Sequence, residues 1–252
     1  MFKFFKKMSK NNIKNIVVIV DEDFYPKNEN PHLENPLEEH WKGELIYEMI
    51  SHDLFLTNKQ KYYDFYTKVR KDYKNIKPSA KYHKSLLDLF EKHNLTIINL
   101  GIDECFEKLG FKNVKHPKGI NSQLICSPST FGCGEKFRFK EFSSKTVCKN
   151  CKRKEHLKPN IEWFQESSDF EEWNSSKKAC EDADMIIFFG KNCNRSIVNT
   201  LLNLNPNATK VEVATRTSDI LETEFHYVVI CQDNPHGIKK LETLLPKYFK
   251  KA

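Results

Sequence analysis

The chain has 252 residues, and 41 basic against 34 acidic side chains give it a formal net charge of +7. That length holds one large domain, or one domain with a small insert, and 39% hydrophobic with 12% aromatic residues is enough for a packed core. No apolar run reaches the roughly eighteen residues needed to cross a bilayer, and so mild a charge does not demand nucleic acid.

The first fourteen residues are basic and carry Phe2, Phe4 and Phe5. They read as a short segment apart from the fold: a weak mitochondrial targeting sequence, or an amphipathic anchor for peripheral contact with a membrane or a partner. Residues 15–20 (NIVVIV) form a continuous run rich in β-branched side chains, the pattern of a buried parallel strand. Acidic, Asn- and Pro-rich residues 21–36 read as loop. Apolar and aromatic residues at helical spacing over 45–74, among them Phe65, Val69 and Tyr73, predict a helix. Pro78 starts another, ahead of the amphipathic LLDLFEKH. Residues 95–100 predict a second strand, and 103–110 a short helix closed by Gly110. Beyond residue 160 come a helix around 169–182, a strand at 185–189, a helix, strands at 210–215 and 227–230, and a C-terminal helix. Strands alternating with helices predict a Rossmann-like, doubly wound parallel α/β sheet, whose ligands bind at the carboxyl ends of the strands. The boundaries expected are 1–14 for the basic segment, 15–121 with 160–252 for the main domain, and 122–159 for an insert.

That insert carries Cys126, Cys133, Cys148 and Cys151 in the pattern C-x6-C-x14-C-x2-C. Zinc takes four thiolates at tetrahedral positions, and two close pairs on a ribbon provide them. The C-x6-C pair is wide, so His156 is an alternative ligand in place of Cys126 or Cys133. Eight cysteines without a secretory signal fit an intracellular, reducing compartment, with the mitochondrion favoured, and a metal rather than a disulfide scaffold. Lys149, Lys152, Arg153 and Lys154 beside the cysteines read as a solvated rim, so nucleic acid is not the expected partner.

From Lys77 onward the order of motifs resembles the sirtuins, the NAD-dependent protein deacylases. LLDLFEKHNLTIINLGIDECFEKLG is similar to the helix–strand–helix around their T-Q-N-I-D motif, with Ile102, Asp103 and Gly110 matching. The cysteines fall where the sirtuin zinc module is inserted, HLKPNIEWFQE is similar to R-P-x-x-V-x-F-G-E, and DADMIIFFG to the strand leading into G-T-S. The resemblance implies a sirtuin-like α/β fold with structural Zn2+ on Cys126, Cys133, Cys148 and Cys151.

At the functional positions the chain departs from the family. The glycine-rich phosphate loop is replaced by Asp21, Glu22 and Asp23, whose carboxylates repel a pyrophosphate. Leu100 and Gly101 stand for the Gln and Asn of T-Q-N-I-D, and Gly190 is followed by Lys191 and Asn192 in place of G-T-S. The position of the family's cofactor-contacting asparagine falls near Ala214. Gly119, by its spacing to Cys126, matches the glycine after the general-base histidine, and Lys118 stands where that histidine would be. An ordinary lysine, with a pKa of about 10.4, is protonated and accepts no proton. His116 could serve only by a shift of register. Asp103 is the one polar site residue retained, and as readily a helix cap.

These departures lead to the expectation of a catalytically inactive sirtuin-like chain that does not use NAD. It would act as a structural or interaction subunit of a larger assembly, in contact with other protein subunits through the Phe-rich N-terminus and the aromatic helix around Tyr62, Tyr63, Phe65 and Tyr66. The alternative is a divergent NAD-dependent protein deacylase or ADP-ribosyltransferase.

Overall fold

The computed structural model describes residues 2–4, 13–21, 40–75, 88, 93–163, 170–190, 195–214, 227–230 and 234–244. Within them, β1 (Phe2–Phe4), β2 (Asn15–Val20), β5 (Asn94–Asn99), β6 (Val114–Lys115), β10 (Met185–Phe189), β11 (Thr209–Ala214) and β12 (Tyr227–Ile230) form a seven-stranded sheet in the order β1-β12-β11-β10-β2-β5-β6. All neighbours are parallel except β1, which runs antiparallel to β12 with Phe2 opposite Val229. Phe2 and Phe4, part of the segment read from sequence as an anchor or targeting sequence, lie in this edge strand.

Strand side chains alternate between two faces, and each face has its own core. Ile16, Val18, Val20, Ile97, Ile187 and Phe189 belong to one cluster, Val17, Ile19, Ile98, Ile186 and Phe188 to the other. Helix α3 (Lys59–Asn75) and α7 (Asn234–Leu244) contribute to the first cluster; α5 (Phe170–Glu181) and α6 (Arg195–Asn203) contribute to the second.

The helix predicted over 45–74 is three. Helix α1 (Ile46–Met49) stops ahead of Ser51, whose hydroxyl accepts the Leu54 N–H at 3.2 Å and so starts α2 (His52–Thr57). Asn58 then accepts the Lys61 N–H at 3.1 Å where α3 begins. Short polar side chains compete with the helix for its own N–H groups, which makes them starts and not continuations. Before α1 lies a hairpin that the sequence reading missed: β3 (His40–Trp41) and β4 (Glu44–Leu45), with Lys42 and Gly43 both at positive φ as a type I′ turn requires. Apart from Asp88, which is helical, the predicted helix beginning at Pro78 lies outside the described residues.

Tyr62, Tyr63, Phe65 and Tyr66 are all buried. Tyr62 meets Phe55, Phe142 and Trp163 edge-on, at centroid distances of 5.2 to 5.8 Å. This face of α3 is core and offers nothing to a partner, which corrects the contact role expected from the sequence.

A smaller antiparallel sheet, β8-β7-β9, stands beside the main one. It is made of β7 (Gly119–Cys126), β8 (Lys136–Arg138) and β9 (Leu157–Ile161). Leu124, Phe137 and Leu157 join the same core as α3.

Candidate functional site

The small sheet carries the candidate metal centre. Cys126 ends β7, a 3-10 turn over Pro128–Thr130 folds the chain back, and the Gly132 N–H donates to Ser127 O at 2.8 Å. A Cβ on Gly132 would sit 2.5 Å from the Cys126 carbonyl carbon, so only glycine permits this return. It brings Cys133 N–H within 3.4 Å of Cys126 Sγ, which is how a six-residue spacer closes a pair. The second pair is closed by the Cys148 N–H donating to Arg153 O at 2.8 Å and the Lys152 N–H to Cys148 O at 3.1 Å, with Lys152 at φ +60°.

The four sulfurs lie within 4.8 Å of one another, and His156 is not among the ligand group. Cys126 Sγ is 3.6 Å from Cys151 Sγ, and Cys133 Sγ is 3.6 Å from Cys148 Sγ. A tetrahedral zinc with bonds of about 2.3 Å separates its sulfurs by about 3.8 Å. The residues fit that ion. Burial pushes the Cys126 thiol up to about 12 and also raises Cys148, whereas the Glu135 N–H donated to its sulfur brings Cys133 down to about 7. An ion that replaces four protons by one divalent charge removes this conflict.

The second region is the carboxyl edge of the main sheet, where β2, β5 and β10 end side by side. Asp21 follows β2. It is 1% exposed, its N–H donates to Phe189 O at 2.8 Å, and its Cβ would lie 2.4 Å from a Cβ on Gly190. The Asp21 side chain is thus buried against the end of β10. Glu22, Asp23, Lys191 and Asn192 lie outside the described residues.

Beyond β5, the Asn99 amide turns back on the chain. Its Oδ1 accepts the Gly101 N–H at 2.9 Å and its Nδ2 lies 3.3 Å from Asp103 Oδ2. A Cβ at position 101 would meet Asp103 Oδ2 at 2.9 Å and Asn99 Oδ1 at 3.1 Å, so Gly101 is the condition for this pairing. Asp103 is buried, and its Oδ1 accepts the Cys105 N–H at 2.8 Å, fixing the entry to α4 (Cys105–Lys108).

Lys118 and Gly119 form the next turn. The Gly119 N–H donates to His116 O at 2.8 Å, Gly119 is at φ +84°, and a Cβ there would lie 2.1 Å from Asn160 O. Lys118 is half-buried in this turn. His116 does not take its place: its ring is buried with Nε2 2.6 Å from Glu107 Oε1, and its N–H donates to Glu172 Oε2 at 3.0 Å.

Two residues that sequence reasoning passed over follow the turn. Asn121 donates its backbone N–H to Ile102 O at 2.8 Å, which lays β7 against the Asp103 loop. A register shift against β9 between Ile120 and Leu124 leaves Asn121 and Ser122 outside that ladder, as a bulge does when it re-aims side chains. Both are buried, and among the described residues neither amide atom of Asn121 nor the Ser122 hydroxyl has a hydrogen-bond partner. Buried polar atoms left so cost free energy that a polar ligand recovers. The signal in the sequence was Asn-Ser-Gln interrupting an apolar strand, two residues past Gly119. Asp103 and the polar atoms of Asn121 and Ser122 thus gather polar groups close to the carboxyl edge of the sheet, where doubly wound folds bind their ligands.

Comparison with known proteins bears on the activity. An NAD-dependent protein deacylase from Campylobacter jejuni is 33% identical over 133 residues, which is 51% of this chain and 54% of that protein. An NAD-dependent protein deacylase from Bdellovibrio bacteriovorus is 24% identical over 185 residues, 71% of this chain and 76% of that one. The chain spans about half the length of several of the curated relatives it matches. Among solved structures, a Sir2 homolog in complex with NAD superposes with a TM-score of 0.74 at 16% identity, covering 93% of this chain and 90% of that one.

The expectation of a catalytically inactive chain is overturned by these relatives, which are named as NAD-dependent enzymes. The accompanying expectation that NAD is not used has no support either. Both rested on missing motifs, yet the loops compared lie partly outside the described residues, and Asp21 is buried. Residues 41–195 match the sequence model of the Sir2 family, and with the doubly wound sheet and the four-cysteine module in place, the chain belongs to that family.

Proposed function

We propose that the chain is a divergent NAD-dependent protein deacylase that removes acyl groups from lysine side chains. The observation that carries this reading is its 33% identity over 133 residues to a relative named for that activity. The edge formed by the ends of β2, β5 and β10 supports it, because ligands of doubly wound sheets sit there. When bound, NAD supplies the ADP-ribosyl group that accepts the acyl, with nicotinamide as leaving group.

The chain's own residues have definable parts in this reading. Asp103 holds the loop after β5 in shape through Cys105 and Asn99. Gly101 leaves room for the Asn99–Asp103 contact and Gly190 for the Asp21 side chain, and Asn121 and Ser122 offer unspent donors and acceptors. Buried, pre-oriented polar groups act strongly because little water competes with them.

The test is to incubate the protein with NAD and acyl-lysine peptides of several chain lengths, following nicotinamide and the free peptide. Release of both, with a drop of about tenfold or more in an Asp103→Asn variant that still folds cooperatively, is the expected result. ADP-ribose found on protein with no peptide deacylated would replace deacylation by ADP-ribosyl transfer. No nicotinamide from any peptide, and no shift of the thermal midpoint with millimolar NAD, would sink the reading.

A further inference from the structure

The chain's positive charge is concentrated. Residues 122–159 carry nine Lys and Arg against three Glu, a surplus of six in a chain whose net charge is +7. At the outer end of this module, Lys149, Lys152, Arg153 and Lys154 are exposed. Lys149 Nζ lies 5.2 Å from the centre of the Phe137 ring and Lys152 Nζ donates to Lys149 O at 2.7 Å. Neither contact neutralises a charge, and among the described residues none of the four forms an ion pair.

Phe131 stands on the adjoining loop. It is 90% exposed and sits at φ +64°, a conformation that bulky side chains seldom adopt. Its backbone is nonetheless pinned, with its N–H donating to Pro128 O at 3.0 Å and the next N–H to Ser127 O at 2.8 Å. The ring is therefore presented to solvent on a rigid support. Two residues on, Cys133 Sγ lies 3.6 Å from the sulfur of Cys148, where the basic knuckle begins. Two residues span at most about 7 Å, so the loop that carries the ring abuts the start of the basic knuckle.

We propose that this end of the module binds single-stranded nucleic acid, with phosphates at Lys149, Lys152, Arg153 and Lys154 and a base stacked on Phe131. Cations alone would suit any polyanion, and the sequence reading accordingly took them for a solvated rim. The exposed, backbone-fixed ring is what selects a partner with flat faces, because base–aromatic stacking needs a free π-surface and a cationic track beside it. The proposal is independent of the deacylase reading.

The experiment measures fluorescence anisotropy of a labelled oligothymidylate of about 20 nucleotides, and of the matching oligouridylate, against the intact zinc-loaded protein. Affinity of about 1–100 μM at low salt is expected, with log K falling against log salt at about −0.7 per phosphate, so about −3 for four contacts. Phe131→Ala should weaken binding about 5- to 150-fold with the salt slope unchanged. Replacing all four cations (K149Q, K152Q, R153Q, K154Q) should flatten the slope instead. Zinc content and thermal midpoint report whether each variant has folded, and Phe131→Trp keeps the stack testable where alanine fails. Binding of either strand supports the proposal, the tighter one naming its source. No binding at low salt, indifference to Phe131→Ala in a folded variant, or equal displacement by polyglutamate or duplex would overturn it.

Discussion

Two glycines with nearly the same φ make contrasting predictions. Gly119 is at +84° and Gly43 at +86°, but a Cβ at 119 meets Asn160 O at 2.1 Å and Ile161 Cα at 2.8 Å, whereas nothing lies within 4 Å at 43. Gly43→Ala should cost about 1–2 kcal/mol, the strain of the left-handed conformation alone. Gly119→Ala must also push two backbones apart, and a loss above about 3 kcal/mol is expected. Urea denaturation of both variants checks this, and equal losses would contradict it. Asn121 supports a prediction of opposite sign. Replacing a buried amide without partners by an apolar side chain of similar shape, Asn121→Leu, should raise stability without ligand by about 1–3 kcal/mol. The rise in thermal midpoint on adding NAD should shrink in the same variant; a loss of stability would show the amide to be satisfied. Of this edge, the sequence disclosed Asp103 and Gly119 by their motif positions. It did not disclose that Asn99 folds back onto Asp103, because that contact depends on Gly101 leaving room.

At the scale of elements, the zinc module and α3 behave differently under substitution. Cys148→Ser removes one of four ligands from a site whose neighbours include a thiol raised by burial. The metal should be lost, with a marked fall in the thermal midpoint, as metal content and a melting curve would show. Because every ligand must lose its proton, zinc should also be held less tightly as the pH is lowered. A variant that retains zinc stoichiometrically would refute the ligand assignment. In α3, Phe65→Ala should cost about 3–5 kcal/mol, since the ring is 1% exposed and meets Trp41 and Tyr66. The parallel strands were legible as β-branched runs because a strand covered on both faces has no polar alternation. The burial of the α3 aromatics was not legible, since a core stripe and a docking stripe have the same spacing. Neither was β1: three residues carry no period, and their partner β12 lies more than 220 positions away.

At the scale of the molecule, the position of β1 bears on solubility. It pairs antiparallel with β12 at one edge of the seven-stranded sheet. Deleting residues 1–4 would leave β12 as the edge, with a row of unpaired N–H and C=O groups able to template another chain. Light scattering should show greater self-association of the shortened protein at concentrations where the full chain is monodisperse. Strand β7 runs between the turn at the main sheet and the cysteine cluster. β7 leaves the turn at Lys118 and Gly119, lies against Ile102 through Asn121, and ends on Cys126. Its eight residues span about 25 Å at roughly 3.3 Å each, so the thiolate cluster and the ligand edge are two ends of one tether. Under the proposed function a chelator would act as an inhibitor at a distance, loosening the far end of β7 without occupying the ligand edge, and metal supply would set how much of the protein is competent to work.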